Sequence, residues 1–131
     1  MNLSLQRLAD RYALHRLTSG SPLPPGLTDE PFYAVLRSED ELSVCCRERL
    51  PVASERREDG WAALRVIGPL DFALTGMVAG LTTPLAEAGI PVFVISSFDT
   101  DYLLVKADRL AAACEVLIGR GATIDAPVES R

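Results

Sequence analysis

The stretch best suited to chemistry runs from Ile67 to Phe72 and reads Ile-Gly-Pro-Leu-Asp-Phe. Gly68 permits a sharp turn, Pro69 suits the first position of a helix, and Asp71 suits the first turn, where an acid compensates the helix dipole. A helix that begins here presents backbone N–H groups without partners, which can bind an anion such as a carboxylate. The same pattern is also typical of a plain strand-to-helix connection, so both interpretations stay open.

The other reactive side chains do not form a catalytic set. His15 is the single histidine, and the three cysteines lack the regular spacing of a zinc site or a disulfide framework. The adjacent Cys45 and Cys46 are expected to point to opposite faces of a strand, as small apolar core residues. Ser96 and Ser97 could act as nucleophiles only beside a base, and none is evident. The sequence therefore predicts no enzyme, no metal site and no cofactor.

Two acids flank Thr100 in a predicted hairpin turn, Asp99 and Asp101. They are compatible with a cation site or with a contact to a basic ligand side chain. Two carboxylates supply too few oxygen ligands for a dedicated calcium loop. Asp is also common in turns because its side chain hydrogen-bonds the local backbone, and this structural alternative stays open as well.

Composition predicts a folded protein without nucleic-acid or membrane contacts. The chain has 131 residues, of which 48% are hydrophobic and 24% charged, and its net charge is −5. It has no run of Lys or Arg that would bind nucleic acid. Pro84 and Glu87 interrupt the longest apolar run, which is too short to span a membrane. The N-terminus does not read as a signal peptide, so we expect a soluble cytoplasmic protein.

Hydrophobic periodicity predicts both strands and helices, which makes the fold α+β. Strands are expected at 3–8, 12–17, 32–37, 42–46, 61–67, 91–97, 102–106 and 122–126. Helices are expected at 71–88 and 108–118, the second capped by Asp108. The Pro-rich segment 18–30 is predicted to be a loop with at most one helical turn. The charged segment 47–60 is predicted to lie on the surface, with room for a short helix at 55–58.

The helix predicted at 71–88 has apolar residues around nearly its whole axis, which indicates burial on more than one side. One side would lie on its own sheet, and the other would need a second module or a second subunit. From residue 61 onward the elements follow the ferredoxin-like order βαββαβ. The first half has a matching hairpin at 32–46 but no helix, which indicates a degenerate internal repeat. We expect the bare sheet of one module to be covered by the helix of the other, with the strand at 61–67 joining them.

Three blocks of this sequence resemble a bacterial family of small tandem ACT-domain proteins. They are GPLDFALTG at 68–76, PLAEAGIPVF at 84–93 and ISSFDTDYLLV at 95–105. The same blocks are similar to the ACT modules of a cytosolic arginine sensor and of aspartate kinases. The resemblance covers residues 61–125 in sequence and the first half only in layout. It implies a degenerate ACT-like module at 1–60, an ACT module at 61–126 and a tail at 127–131.

The resemblance also implies a function. ACT modules bind amino acids in allosteric proteins, so a regulatory or sensing protein without catalytic activity is expected, with an amino acid as its ligand. A homodimer is expected because ACT units pair, and an unidentified regulated protein is implied because no catalytic domain is attached. Residue matching places the ligand-binding residues at Ile67, Gly68, Pro69, Leu70, Asp71, Phe72, Gly76, Phe93, Val94, Ile95, Ser96 and Ser97.

The chemistry of such a site follows from the ligand's two charges. The amino-acid carboxylate would accept hydrogen bonds from the N–H groups at the helix start after Gly68. The ammonium would need an acceptor, either Asp71 or the backbone carbonyls of residues 94–96. The first half lacks such a helix start, so one complete site per chain is expected. The alternative function is a structural or assembly module that dimerises through the ACT fold and binds no ligand.

Overall fold

The structure, a computed structural model, describes residues 3–67 and 76–128 and confirms an α+β fold. Eight strands lie in one sheet: β1 Ser4–Leu8, β2 Tyr12–Leu17, β3 Ala34–Arg37, β4 Leu42–Arg47, β5 Arg56–Val66, β6 Phe93–Ser96, β7 Asp101–Lys106 and β8 Thr123–Val128. The helices are α1 Met77–Glu87 and α2 Leu110–Gly119, and short 3-10 turns occur at Leu27–Asp29 and Ala107–Arg109.

Strand β5 joins the two halves of the chain. Along one edge it pairs first with β2, through Tyr12 opposite Trp61, and then with β1, through Leu5 opposite Val66. Along its other edge it pairs with β7. The expectation that the helix of one module covers the sheet of the other is therefore wrong, because the halves lie side by side in a single sheet.

The start of β5 differs from the sequence prediction. The expected helix at 55–58 is absent, and the strand begins at Arg56, where the backbone pairs with Arg16 of β2. Cross-strand pairing overrides the high polarity of this segment because its charged side chains remain exposed. Gly60 has a φ of +80° and lies where the β2–β5 register shifts. A β-bulge of this kind favours glycine.

The helix expected at 71–88 is wrong at its start, because α1 begins at Met77 and Gly76 before it has a left-handed φ of +75°, which no continuous helix contains. The expected positions 71–75 lie outside the described residues.

The second half has the predicted ferredoxin-like element order, with one addition. Strand β1 lies between β5 and β8, antiparallel to β5 and parallel to β8. Strand β8 continues to Val128, two residues into the stretch expected to be a tail. Helix α2 follows its predicted range closely, but Asp108 lies in the preceding 3-10 turn and the helix has no side-chain cap.

Both helices pack on one face of the sheet. Their buried side chains Leu81, Leu85 and Leu117 join a core with Leu64 and Leu103 of the sheet. The opposite face carries a second apolar cluster, and a third lies beneath the loop of the first half.

Helix α1 is buried on one side only within the single chain. Leu81, Pro84 and Leu85 are buried, whereas Val78 is 38% exposed and Gly80 is exposed. The first half of the chain does not cover this second side, so that expectation is wrong for the described residues. Neither described helix combines the length and apolarity needed to cross a membrane.

Candidate functional site

A groove of about 900 Å³ lies between the β3–β4 hairpin and the β6–β7 hairpin. Its apolar lining includes Leu14, Cys45 and Tyr102, which belong to or pack against the cluster on the helix-free face. The groove is open to solvent and is bordered by both halves of the chain. Its size is within the range of sites that bind small organic ligands or peptide segments.

Phe32 joins the two halves at the groove. Its ring contacts Tyr12 edge to face, with centroids 5.5 Å apart, and Tyr102 in a tilted arrangement at 4.6 Å. Tyr12 belongs to β2 of the first half and Tyr102 to β7 of the second. Aromatic contacts of this kind fix the position of the segment that leads into β3.

Three arginines and one glutamate line the first-half end of the groove. Arg16 is 3.0 Å from Glu41 and 3.9 Å from Glu55, and Arg57 contacts Asp59. Within the described residues, the side chains of Arg56 and Glu58 form no ion pair. Among the described residues that line the groove, one arginine and one glutamate side chain are therefore left without an ion pair.

The predicted site residues of the β6 region, 93–97, all line this groove. Phe93 and Ile95 pair with Leu104 and Tyr102 on the helix-free face. Val94 lies between them and packs against the core under the helices. Strand β6 thus presents its side chains alternately to the groove and to the helix side, as strand geometry requires.

The remaining predicted site residues lie elsewhere or outside the described ranges. Ile67 is 39% exposed, and its N–H donates to the Ser4 carbonyl at 2.9 Å. Gly76 precedes α1 with a φ of +75°, and its carbonyl accepts from the Gly80 N–H at 2.7 Å. The stretch Gly68, Pro69, Leu70, Asp71 and Phe72 lies outside the described residues.

The hairpin serines take part in local hydrogen bonds. Ser96 Oγ donates to Asp101 Oδ1 at 2.5 Å, and Ser97 Oγ donates to the Thr100 carbonyl at 3.0 Å. Asp101 thus accepts a local hydrogen bond, in agreement with the structural alternative for this turn. No group of three metal-ligating side chains occurs within residues 3–67 and 76–128.

The turn is also joined to β5. Thr100 is buried, and its Oγ1 donates to the Val66 carbonyl at 2.5 Å. This bond holds the β6–β7 hairpin against the end of the strand that leads into the predicted helix start.

Cys45, Cys46 and His15 are buried, whereas Cys114 is partly exposed. Cys45 and Cys46 point to opposite faces, as predicted, and belong to different apolar clusters. Burial raises the pKa of Cys45 to about 12 and that of Cys46 to about 11, which keeps both thiols protonated. His15 is 3% exposed, and its Nδ1 lies 3.0 Å from Ser54 Oγ.

Sequence reasoning missed the first-half side of the groove. The sequence predicts Phe32 at the start of a strand and Arg56 within a charged surface segment. The available signal was the pair of similar hairpins, because two hairpins in one sheet can border a shared groove. Their relation depends on the pairing of β2 with β5, which no local pattern reveals.

Comparison with known proteins agrees with this architecture. Residues 56–118 match the model of the ACT domain family, and a model for an N-terminal domain matches residues 10–52. The human protein "Cytosolic arginine sensor for mTORC1 subunit 1" is 32% identical over 107 residues, which are 76% of this chain and 32% of that protein. The chain thus spans about a third of the length of the curated relatives it matches.

Solved structures show the same fold. A protein from Agrobacterium tumefaciens superposes with a TM-score of 0.90 at 29% identity, covering 100% of this chain and 98% of that one. The regulatory subunit of aspartate kinase from Thermus flavus superposes with a TM-score of 0.59 at 12% identity, over 92% and 97% of the two chains. Residues 56–118 thus match the ACT domain family, and the solved structures show that the chain shares its fold with these proteins.

Proposed function

We propose that this chain is a non-catalytic regulatory protein that binds an amino acid. The ligand carboxylate accepts hydrogen bonds from the backbone at Gly68–Asp71, and its ammonium is bound by Asp71 or by carbonyl groups of β6. Support comes from the ACT-domain match and from the similarity to a protein named as an arginine sensor. We do not propose arginine as the ligand, because this chain corresponds to only part of that relative.

The structural observation that carries the proposal is the hydrogen bond from Thr100 to Val66. It places the β6–β7 hairpin beside the end of β5, one residue before Ile67 and two before Gly68. Within residues 3–67 and 76–128, strand β6 pairs only with β7, so part of its backbone is free of sheet hydrogen bonds there and could accept from an ammonium group. Gly76, at the start of α1, supplies the left-handed backbone conformation that ends the intervening segment.

The proposal includes a homodimer and a regulated partner. The exposed side of α1, with Val78 and Gly80, offers an apolar surface on which a second copy would pack. Because this surface requires no ligand, it also favours the second candidate function, an assembly module that binds no amino acid. We place the protein in the cytoplasm, as the name of its relative suggests.

A thermal-shift screen with the twenty amino acids separates the two candidates. A ligand at 100 times its dissociation constant stabilises the folded state by about 2.7 kcal/mol. If the protein is an amino-acid-binding regulator, at least one amino acid at millimolar concentration should raise its melting temperature. If it is an assembly module, none of the twenty should change the melting temperature.

Substitutions then locate the binding site. Gly68→Val is expected to abolish the shift while the protein remains folded. Gly20→Val is the matched control, because an added Cβ at Gly20 meets no atom within 4 Å and this loop is distant in sequence from the proposed site. Normal binding by Gly68→Val would exclude the proposed site.

A further inference from the structure

His15 is a buried titratable side chain with an incomplete set of hydrogen bonds. It is 3% exposed, and its Nδ1 lies 3.0 Å from Ser54 Oγ. Its Nε2 is buried and has no hydrogen-bond partner within the described part of the chain. An imidazolium carries a proton on both ring nitrogens. A proton added to His15 would therefore leave a buried charged donor without an acceptor.

The ring of His15 adjoins the third apolar cluster, which consists of Leu17, Leu27, Leu42, Val44 and Cys46. Val44 of β4 is the cross-strand neighbour of His15, and Leu17 follows two residues later in β2. Residues that pair across strands, and residues two apart in one strand, share a face of the sheet. His15 is thus packed on the same side as this cluster.

The charges beside the ring disfavour a proton on balance. Burial is the largest effect that lowers the pKa of His15, the positive charge of Arg57 lowers it further, and Asp59 opposes both. Arg57 is the cross-strand neighbour of His15 in β5, and its guanidinium is bound to Asp59. A protonated His15 would therefore lie in a buried position opposite a second positive charge.

The other ionisable groups on the surrounding elements are neutral, bound elsewhere or exposed. On β4, burial raises the pKa of Cys46 to about 11. Arg49, between β4 and β5, is exposed. The carboxylates are bound by other groups of the chain: Glu48 by the Gly60 N–H, Glu55 by Arg16, and Glu30 by Arg47. Among the described residues, Asp59 is thus the acid that favours a proton on His15.

Two irregular segments of the described chain contribute to the cluster, and they are held to different degrees. The loop at 18–30 contains the fully buried Leu27 and is anchored by the bidentate pair of Glu30 with Arg47. The segment 48–55, between β4 and β5, contributes the partly buried Leu50 and Val52. A segment with fewer buried apolar contacts opens at a lower cost in free energy.

We propose that protonation of His15 opens segment 48–55, which therefore acts as a pH-sensitive cover over the third apolar cluster. In the closed state, Ser54 and the neutral imidazole hold this segment against β2. In the open state, water reaches the imidazolium and accepts its second hydrogen bond. The opening requires no amino acid, so it goes beyond the proposed function and can fail independently of it.

The direction and size of the response follow from proton binding. The open state binds the proton with an ordinary pKa of about 6.5, whereas the closed state has a lower pKa. The closed state is therefore favoured at high pH and loses this advantage as the pH falls below about 6.5. Between pH 7.5 and 5.0 the open population should rise about five- to thirtyfold, the upper value being the limit for one group of this pKa.

The test is amide hydrogen exchange of the full chain at pH 7.5 and 5.0, corrected for the intrinsic pH dependence of exchange. The N–H groups of Leu50 and Glu55 donate to backbone carbonyls in the closed state, and their protection should fall by this factor. Leu103, paired on both sides in the centre of β7, reports global unfolding. In dilute urea, protection should change little at Leu50 and steeply at Leu103, because local opening exposes less surface.

Substitutions assign the response to His15. His15→Gln should reduce the change between the two pH values to less than about twofold, because glutamine does not titrate. Arg57→Gln keeps the histidine but removes the opposing positive charge, so its change should be smaller than that of the wild type. Arg49→Gln, at an exposed arginine of the same segment, is the matched control and should respond like the wild type. If His15→Gln perturbs folding, the two arginine variants decide the test.

Three outcomes would overturn the proposal: protection of Leu50 and Glu55 that does not depend on pH, a full pH response in His15→Gln, or equal urea dependence at Leu50 and Leu103. The second outcome would assign the response to other titrating groups, and the third to global unfolding.

Discussion

Thr100 Oγ1 donates a buried hydrogen bond to the carbonyl oxygen of Val66 at 2.5 Å. This bond connects the β6–β7 hairpin to the end of β5 through two residues that are 34 positions apart in sequence. It fixes the turn of the β6–β7 hairpin beside the point where β5 ends and the proposed ligand-binding stretch begins. The geometry of the site therefore depends on a side chain that need not contact the ligand.

Thr100→Val tests this connection. Valine has a similar shape but leaves the Val66 carbonyl buried without a donor, so we expect a loss of about 1–3 kcal/mol in the free energy of unfolding. Thr100→Ser keeps the hydroxyl and should lose less. Urea unfolding measures both variants. Equal stability of wild type and Thr100→Val would show that the bond does not support the fold.

Arg47 and Glu30 form a bidentate pair that anchors the first-half loop on β4. The Nε–Oε1 and Nη2–Oε2 distances are 3.1 and 2.9 Å, and the Glu30 side chain is only 8% exposed. Glu30→Gln should lower the free energy of unfolding by about 1.5–3 kcal/mol, the range for hydrogen bonds to charged groups. The control is Glu87→Gln, whose exposed pair with Arg120 should matter much less. Similar losses for both variants in urea unfolding would contradict this prediction.

His15 makes stability depend on pH. Burial lowers the pKa of His15 below its ordinary value of 6.5, and the nearby Arg57 lowers it further, against an opposing effect of Asp59. The unfolded chain therefore binds the proton more readily, and stability is lost as the pH falls from about 6.5 toward the folded-state pKa. His15→Gln should reduce this loss. Unfolding at pH 7.5, 6.0 and 5.0 compares the two proteins, and equal pH dependence would contradict a role for His15.

Gly76 and Gly80 should respond to alanine with opposite signs. Gly76 has a φ of +75°, a conformation that costs an L-residue roughly 1–2 kcal/mol. Gly80 lies inside α1, and an added Cβ there meets nothing within 4 Å, so alanine should stabilise the helix by about 0.5–1 kcal/mol. Thermal unfolding of both variants tests this pair. A stabilising Gly76→Ala would contradict the assigned backbone conformation.

The sequence predicted those elements whose causes are local. The alternation of apolar and polar residues in Tyr12–Leu17 and the spacing of apolar residues by three or four in α2 are visible in the sequence itself, as are the two hairpins. The start of β5 at Arg56 was missed because a charged segment became a strand through pairing with β2. That same pairing places the halves in one sheet and creates the groove. Long-range pairing, rather than local propensity, determined both.

The central claim is the proposal that an amino acid binds between the backbone at Gly68–Asp71 and the β6–β7 hairpin. The most direct test records amide NMR spectra of the full chain with each of the twenty amino acids. The account predicts that at least one of them shifts amides concentrated in residues 67–76 and 93–97, and that Gly68→Val abolishes these changes. Spectra unchanged by all twenty, or changes confined to other parts of the chain, would contradict it.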